Sequence, residues 1–226
     1  MNPSRVKIAA LGLLVGSTAF AQTGRPGDSV SLYGLIDVGV DVVSNVGASG
    51  RTVERMPLNS NTAPSRIGVR GSESLGSGLR TVFTFEGGFA PGTGTLQQGG
   101  RAWGRQAFVG IAGPFGTISL GRQYTMTFWA GTSADVHGGG VYGTGSLDSY
   151  LPNARADNAI AWRGTFGQWT LGADYSFGRD SVNAGPSPAG TNCPQVSGDS
   201  QACRQWSAMV KYDSQTWGAA LSYDRL

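Results

Sequence analysis

Val30-Ser31-Leu32-Tyr33-Gly34-Leu35-Ile36-Asp37-Val38-Gly39-Val40-Asp41-Val42 puts Val30, Leu32, Gly34, Ile36, Val38, Val40 and Val42 on one parity and Ser31, Tyr33, Leu35, Asp37, Gly39 and Asp41 on the other. Side chains alternate in direction along a strand but repeat every 3.6 residues on a helix, so this period of two predicts a strand with one apolar face. The pattern returns further along. Trp169, Leu171, Ala173, Tyr175 and Phe177 oppose Thr170, Gly172, Asp174 and Ser176, while Trp206, Ala208, Val210 and Tyr212 oppose Ser207, Met209 and Lys211. Trp217, Ala219, Leu221 and Tyr223 oppose Gly218, Ala220, Ser222 and Asp224.

The connections alternate as well. Short turns lie at Glu73 to Gly78, Gly113 to Gly116, Gly164 to Gly167 and Asp213 to Gln215; long polar stretches lie at Val46 to Pro64, Ala90 to Ala102, Thr125 to Ala156 and Gly178 to Cys203. Antiparallel strands with short turns at one end and long loops at the other fit an outer-membrane barrel with periplasmic turns and extracellular loops. Trp162, Trp169, Tyr175, Phe177, Trp206, Tyr212, Trp217 and Tyr223 share the apolar parity near strand ends, where aromatic girdles sit. Parity alone does not separate a sandwich core from a lipid face. Charges on the opposite face in run after run favour a wet lumen.

Residues 1–21 read as an export signal: Arg5 and Lys7, an apolar stretch from Ile8 to Val15, and Ala19-Phe20-Ala21 as the cleavage site before Gln22. That stretch is shorter than the roughly 20 residues of a membrane-spanning helix. The expected organisation is therefore a signal peptide at 1–21 and a β-barrel domain at 22–226. The 17 basic residues include Arg5 and Lys7, leaving 15 against 14 acids, a balance that does not suit nucleic acid. Lys211 is the one lysine of the mature part, so arginine supplies nearly all its positive charge. Gly, at 37 of 226 residues, is about twice its usual share without a collagen period, as a chain of short strands and turns requires. Cys193 and Cys203 bracket a polar loop in a compartment where disulfides persist, so they are expected to pair. Two thiols and a single histidine do not make a tetrahedral metal site, and no cofactor is expected.

The chain resembles the trimeric general porins of Gram-negative outer membranes, in their proteobacterial branch. The resemblance rests on Ser31-Leu32-Tyr33-Gly34-Leu35-Ile36-Asp37, Ser65-Arg66-Ile67-Gly68-Val69-Arg70-Gly71-Ser72-Glu73-Ser74-Leu75-Gly76, Gly104-Arg105-Gln106-Ala107-Phe108-Val109-Gly110 and Phe115-Gly116-Thr117-Ile118-Ser119-Leu120-Gly121-Arg122-Gln123-Tyr124, in that order. It implies an all-β transmembrane antiparallel barrel of about 16 strands. Only about nine alternating runs precede Leu226, so the chain is expected to be the N-terminal part of a larger barrel; a small complete barrel would need an even number.

By the same resemblance, a loop folded into the lumen after the fifth strand faces a cluster of arginines across a constriction. The cluster maps onto Arg66, Arg105 and Arg163, with Arg80 sharing lumen parity with Glu86. Parity supports Arg66 and Arg163 independently; the strand beginning at Arg105 is apolar on both faces. The loop runs from Tyr124 to about Ser149, with Asp135 and Asp148 as its acids. Opposed charge in a narrow channel orients dipolar solutes and filters ions. The loop has few acids, and Leu35 stands where some family members carry another wall base, so the resemblance leaves the ion preference open.

Arg122 falls on the apolar parity with Ile118 and Leu120, a costly place for a charge facing lipid. A trimer contact or a local bulge would each explain it. Ser133, Asp135 and His137 do not form a hydrolytic triad, because three residues of one Gly-rich loop lack fixed convergence on an oxyanion hole. The expected function is a passive channel for small hydrophilic solutes and ions, a homotrimer in outer-membrane lipid; the rival is a secreted or surface β-rich binding or adhesive module.

Overall fold

The computed structural model describes residues 28–57, 62–132, 135, 143, 154–180, 193 and 197–225. The leader expected at 1–21 lies outside them. Twelve strands and one short helix are present among the described residues: β1 (Ser29–Leu35), β2 (Asp41–Val46), β3 (Arg51–Arg55), β4 (Arg66–Gly76), β5 (Leu79–Ala90), β6 (Thr95–Leu96), β7 (Gln106–Gly113), β8 (Gly116–Tyr124), α1 (Met126–Thr132), β9 (Arg155–Phe166), β10 (Trp169–Ser176), β11 (Gln205–Asp213) and β12 (Gly218–Arg225). One antiparallel sheet runs β1-β4-β5-β7-β8-β9-β10-β11-β12, with β6 attached to β5 and β2-β3 forming a separate hairpin. The main path thus has nine strands, and the sheet is not closed: β1 and β12 are its two edges.

The apolar parity faces out. Leu32 is 60% exposed, Val109 53% and Leu221 73%, while on the opposite parity Ser176, Gln205 and Ser207 are fully buried. This is the reverse of a soluble sandwich and decides what parity left open. Trp169 and Trp217 each touch Tyr212 beside the short turns, and Trp206 touches Tyr223 toward the long loops. Along β10, Trp169 and Tyr175 are six residues apart, about 20 Å of strand, in keeping with an apolar band between two girdles.

The first strand is shorter than its alternation suggests. The run from Val30 to Val42 breaks after Leu35, and Asp41 begins a hairpin with β3. β4 begins only at Arg66, after Pro64, so residues past Ile36 have no ladder partner there. Ser65 holds the departing chain: its Oγ accepts from Asp37 N at 2.9 Å and donates to Asp37 O at 3.0 Å, while Asp37 Oδ2 accepts from the N–H groups of Thr62 and Ala63. Alternation continued, but the partner strand did not.

The loop after β8, the fifth strand of the path, begins with helix α1 instead of an unstructured glycine-rich segment. Thr125 caps it, its Oγ1 accepting from Phe128 N at 3.3 Å. The loop base is tied by Thr125 N donating to Ala154 O at 3.0 Å. The helix folds back across the polar face and packs on β10, β11 and β12. Met126 and Ala130 of α1, with Ala161 and Met209 of the wall, make a buried apolar cluster against which Trp129 packs.

Candidate functional site

Three side chains from separate pieces of chain converge on one carboxylate on the polar face. Glu86 of β5 stands in a cross-strand row with Gly68 of β4 and Gln106 of β7. Arg105 Nε donates to its Oε1 at 2.7 Å, Arg66 Nε lies 3.7 Å from its Oε2, and the Tyr33 hydroxyl donates to Oε2 at 2.9 Å. Arg105 also donates to the Tyr124 hydroxyl at 2.8 Å, which accepts from Arg155 at 3.2 Å as well. Arg155 lies 4.7 Å over the Tyr124 ring. Arg66 and Arg105 therefore meet at one buried acid, and Arg105 reaches the lumen side although its strand is apolar on both faces.

Gly68 makes room for this arrangement. A Cβ there would lie 2.6 Å from Tyr33 Cζ, 2.7 Å from its hydroxyl and 2.9 Å from Phe85 O. Gly68→Val should push Tyr33 off Glu86 and lower barrel stability by about 1–3 kcal/mol, the usual cost of overpacking. An unchanged thermal unfolding midpoint would contradict this.

Arg80 and Arg163 occupy a second row. Arg80 pairs with Ala112, Ala112 with Thr117 and Thr117 with Arg163, so both arginines project to the same face three strands apart. With Arg70 they line a concavity of about 640 Å³ with neither Asp nor Glu among its described lining residues. Arg70 lies 5.1 Å over the Tyr33 ring, and Arg163 sits 3.8 Å over the Trp129 ring of α1. Arg163 is thus stacked on the inward loop itself, apart from the Arg66-Glu86-Arg105 cluster.

Asp135 lies just beyond α1 and is half-buried; positions 133, 137 and 148 are outside the described residues. On the far wall, Asp174 on β10 and Asp224 on β12 share a cross-strand row with Ser207 of β11. Lys211 of β11, 3.0 Å from Asp213, lines a second concavity with Arg163 and Trp129, so this wall carries a base as well as acids.

Arg122 keeps the outward parity, opposite Ala107. Its charge is met within its own chain: Nη1 donates to Asp157 at 2.6 Å and Nε to Gly104 O at 2.7 Å. Arg101 of the loop after β5 covers the pair, bonding both Asp157 and Asp180. A bulge is indeed present, with the register shifting between Gly121 and Gln123, but the extra residue lies on β9, where Asn158 takes a φ of 49°. It brings Asp157 to Arg122 and does not turn Arg122 into the lumen. Cys193 and Cys203 form the expected disulfide, with Cα atoms 5.2 Å apart. Their carbonyls accept from Asp180 and Arg179, so the stapled loop is docked on the end of β10.

Sequence reasoning missed Tyr33, Tyr124, Trp129, Arg155 and Asp174 as site residues. Tyr33 and Asp174 were legible as lumen parity. Trp129 and Arg155 were not, because their positions depend on a loop that folds back.

Residues 8–226 match a family model described as Gram-negative porin. An outer membrane porin protein of Bordetella pertussis is 31% identical over 97% of this chain and 59% of its own length. Outer membrane porin protein 32 of Delftia acidovorans is 33% identical over 75% of this chain and 49% of its own. Among solved structures, the anion-selective porin from Comamonas acidovorans superposes with a TM-score of 0.66 at 25% identity, covering 87% of this chain and 57% of that one. The OmpF porin of Salmonella typhi in complex with daunomycin gives 0.57 at 16% identity, covering 88% and 54%, a likeness of fold alone. The chain thus spans about half to three-fifths of the length of the relatives it matches.

Proposed function

Because this chain belongs to the Gram-negative porin family of the outer membrane, we propose that it forms the N-terminal wall and constriction of a water-filled channel through which small hydrophilic solutes and ions diffuse without energy input. The inverted burial carries the reading: apolar side chains are exposed on the outer parity, and polar and charged ones line the concave face that α1 enters. Only a sheet with lipid outside and water inside satisfies both faces.

The proposed preference is for anions. Arg66 and Arg105 share Glu86, but Arg70, Arg80 and Arg163 border a concavity with no acid among its described lining residues, and its low-dielectric walls focus their field. The relative from Comamonas acidovorans is itself an anion-selective porin. Asp135 and Asp148 remain proposed as the loop acids, and no catalytic role is assigned. The proposed assembly is a homotrimer, with Arg122 and the loop over it close to the contact. In planar bilayers, protein extracted in its assembled state from outer membranes should give discrete conductance steps and a reversal potential of anion sign across a salt gradient. Absence of steps would refute the channel; a cation sign would refute the role of the arginines.

A further inference from the structure

Asp174 is a charged residue buried in the wall, 5% exposed, on a strand that otherwise alternates apolar and small polar side chains. A carboxylate there is expensive unless it has a task. Neither the arginine cluster nor the concavity uses it. Its Oδ1 accepts from the backbone N–H of Met126, the first residue of α1, at 3.1 Å. The Ser207 hydroxyl accepts from the same N–H at 2.8 Å and donates to Asp174. The first helical N–H has no partner within the helix, so the wall supplies two acceptors for it.

The rest of the seat is built around that bond. Opposite Met126, Gly172 of β10 has no side chain, and a Cβ there would collide with Met126 Sδ. One turn further along α1, Trp129 lies beneath the Arg163 guanidinium. The helix is thus fixed at its start by hydrogen bonds, by a methionine in a glycine notch and by an aromatic ring under a wall arginine.

We propose that Asp174 is the positioning residue of the constriction: as an acceptor for Met126 N–H it locks α1 onto the β10–β12 wall and so sets the width of the opening that Trp129 and the facing arginines border. This rests on α1 belonging to the constriction, as read above. The acceptor oxygen does the work, and the negative charge is not required for it.

Hydrogen exchange and single-channel recording on the assembled protein from outer membranes test this together. Asp174→Ala should speed exchange of the Met126–Thr132 amides on the order of tenfold while the β4 and β5 amides keep their protection, as expected for one lost buried hydrogen bond. The single conductance level should become several. Asp174→Asn keeps an oxygen in the same place and should restore both readouts; Asp174→Leu keeps the volume without an acceptor and serves where the alanine variant does not assemble. Parent-like exchange of α1 in Asp174→Ala or Asp174→Leu, or exchange in Asp174→Asn as fast as in those variants, would overturn the proposal. A parent that does not conduct would overturn the channel reading alone, and the exchange result would still decide the tether.

Discussion

Refolded by themselves into lipid, these 226 residues are expected to give no discrete conductance steps. β1 with 7 residues and β12 with 8 are the edges of the nine-strand path. About half of the N–H and C=O groups of an edge strand point away from its one neighbour. In hydrocarbon each unpaired group costs several kcal/mol, so an open sheet has no stable spanning state. The exposed outer face adds to the hazard, because Leu221 and Tyr223 on β12 and Val30 and Leu32 on β1 make both edges apolar. Aggregation is the expected outcome, read as sedimentable protein and no heat-resistant species on gels. Discrete porin-like steps from the refolded segment would show that the sheet closes with these strands alone.

The largest change in selectivity is expected from replacing Arg70, Arg80 and Arg163 together with glutamine in an assembled channel. A unit charge about 8 Å from the ion path is worth about 0.5 kcal/mol in water, and salt at about 0.1 M screens part of it. Three such changes, acting with opposite sign on anions and cations, should move the permeability ratio toward cations on the order of tenfold. The reversal potential across a salt gradient reads this directly, and an unmoved value would remove these residues from the selectivity filter. Replacing Arg105 is expected to differ in kind. Its guanidinium bonds Glu86 at 2.7 Å and both are buried, so its loss leaves the carboxylate to Arg66 and the Tyr33 hydroxyl and should cost about 1–3 kcal/mol of stability as well as shifting selectivity.

Much of this was legible in the sequence because side-chain direction in a strand is local. Alternation in Trp169 to Phe177 or Trp206 to Tyr212 fixes which residues share a face whatever the partner strand is, and the short turn at Gly76-Ser77-Gly78 lies where glycine and polar residues interrupt the pattern. The nine-strand path and the parity of Arg66, Arg80 and Arg163 were readable in this way, the inward loop after the fifth strand through family resemblance, and the disulfide from the export signal and the spacing of the two cysteines. Tertiary structure decided the rest, since it depends on residues far apart in the chain. Tyr33 and Glu86 are 53 positions apart, and Met126 and Ser207 are 81 apart. That the apolar parity is the outer one, that Arg66 and Arg105 converge on one acid, that Arg122 is met by Asp157 and that the chain leaves the sheet at Asp37 all follow from register and from where partner strands begin. Local periodicity determines which face a side chain occupies; only the assembled sheet determines what that face meets.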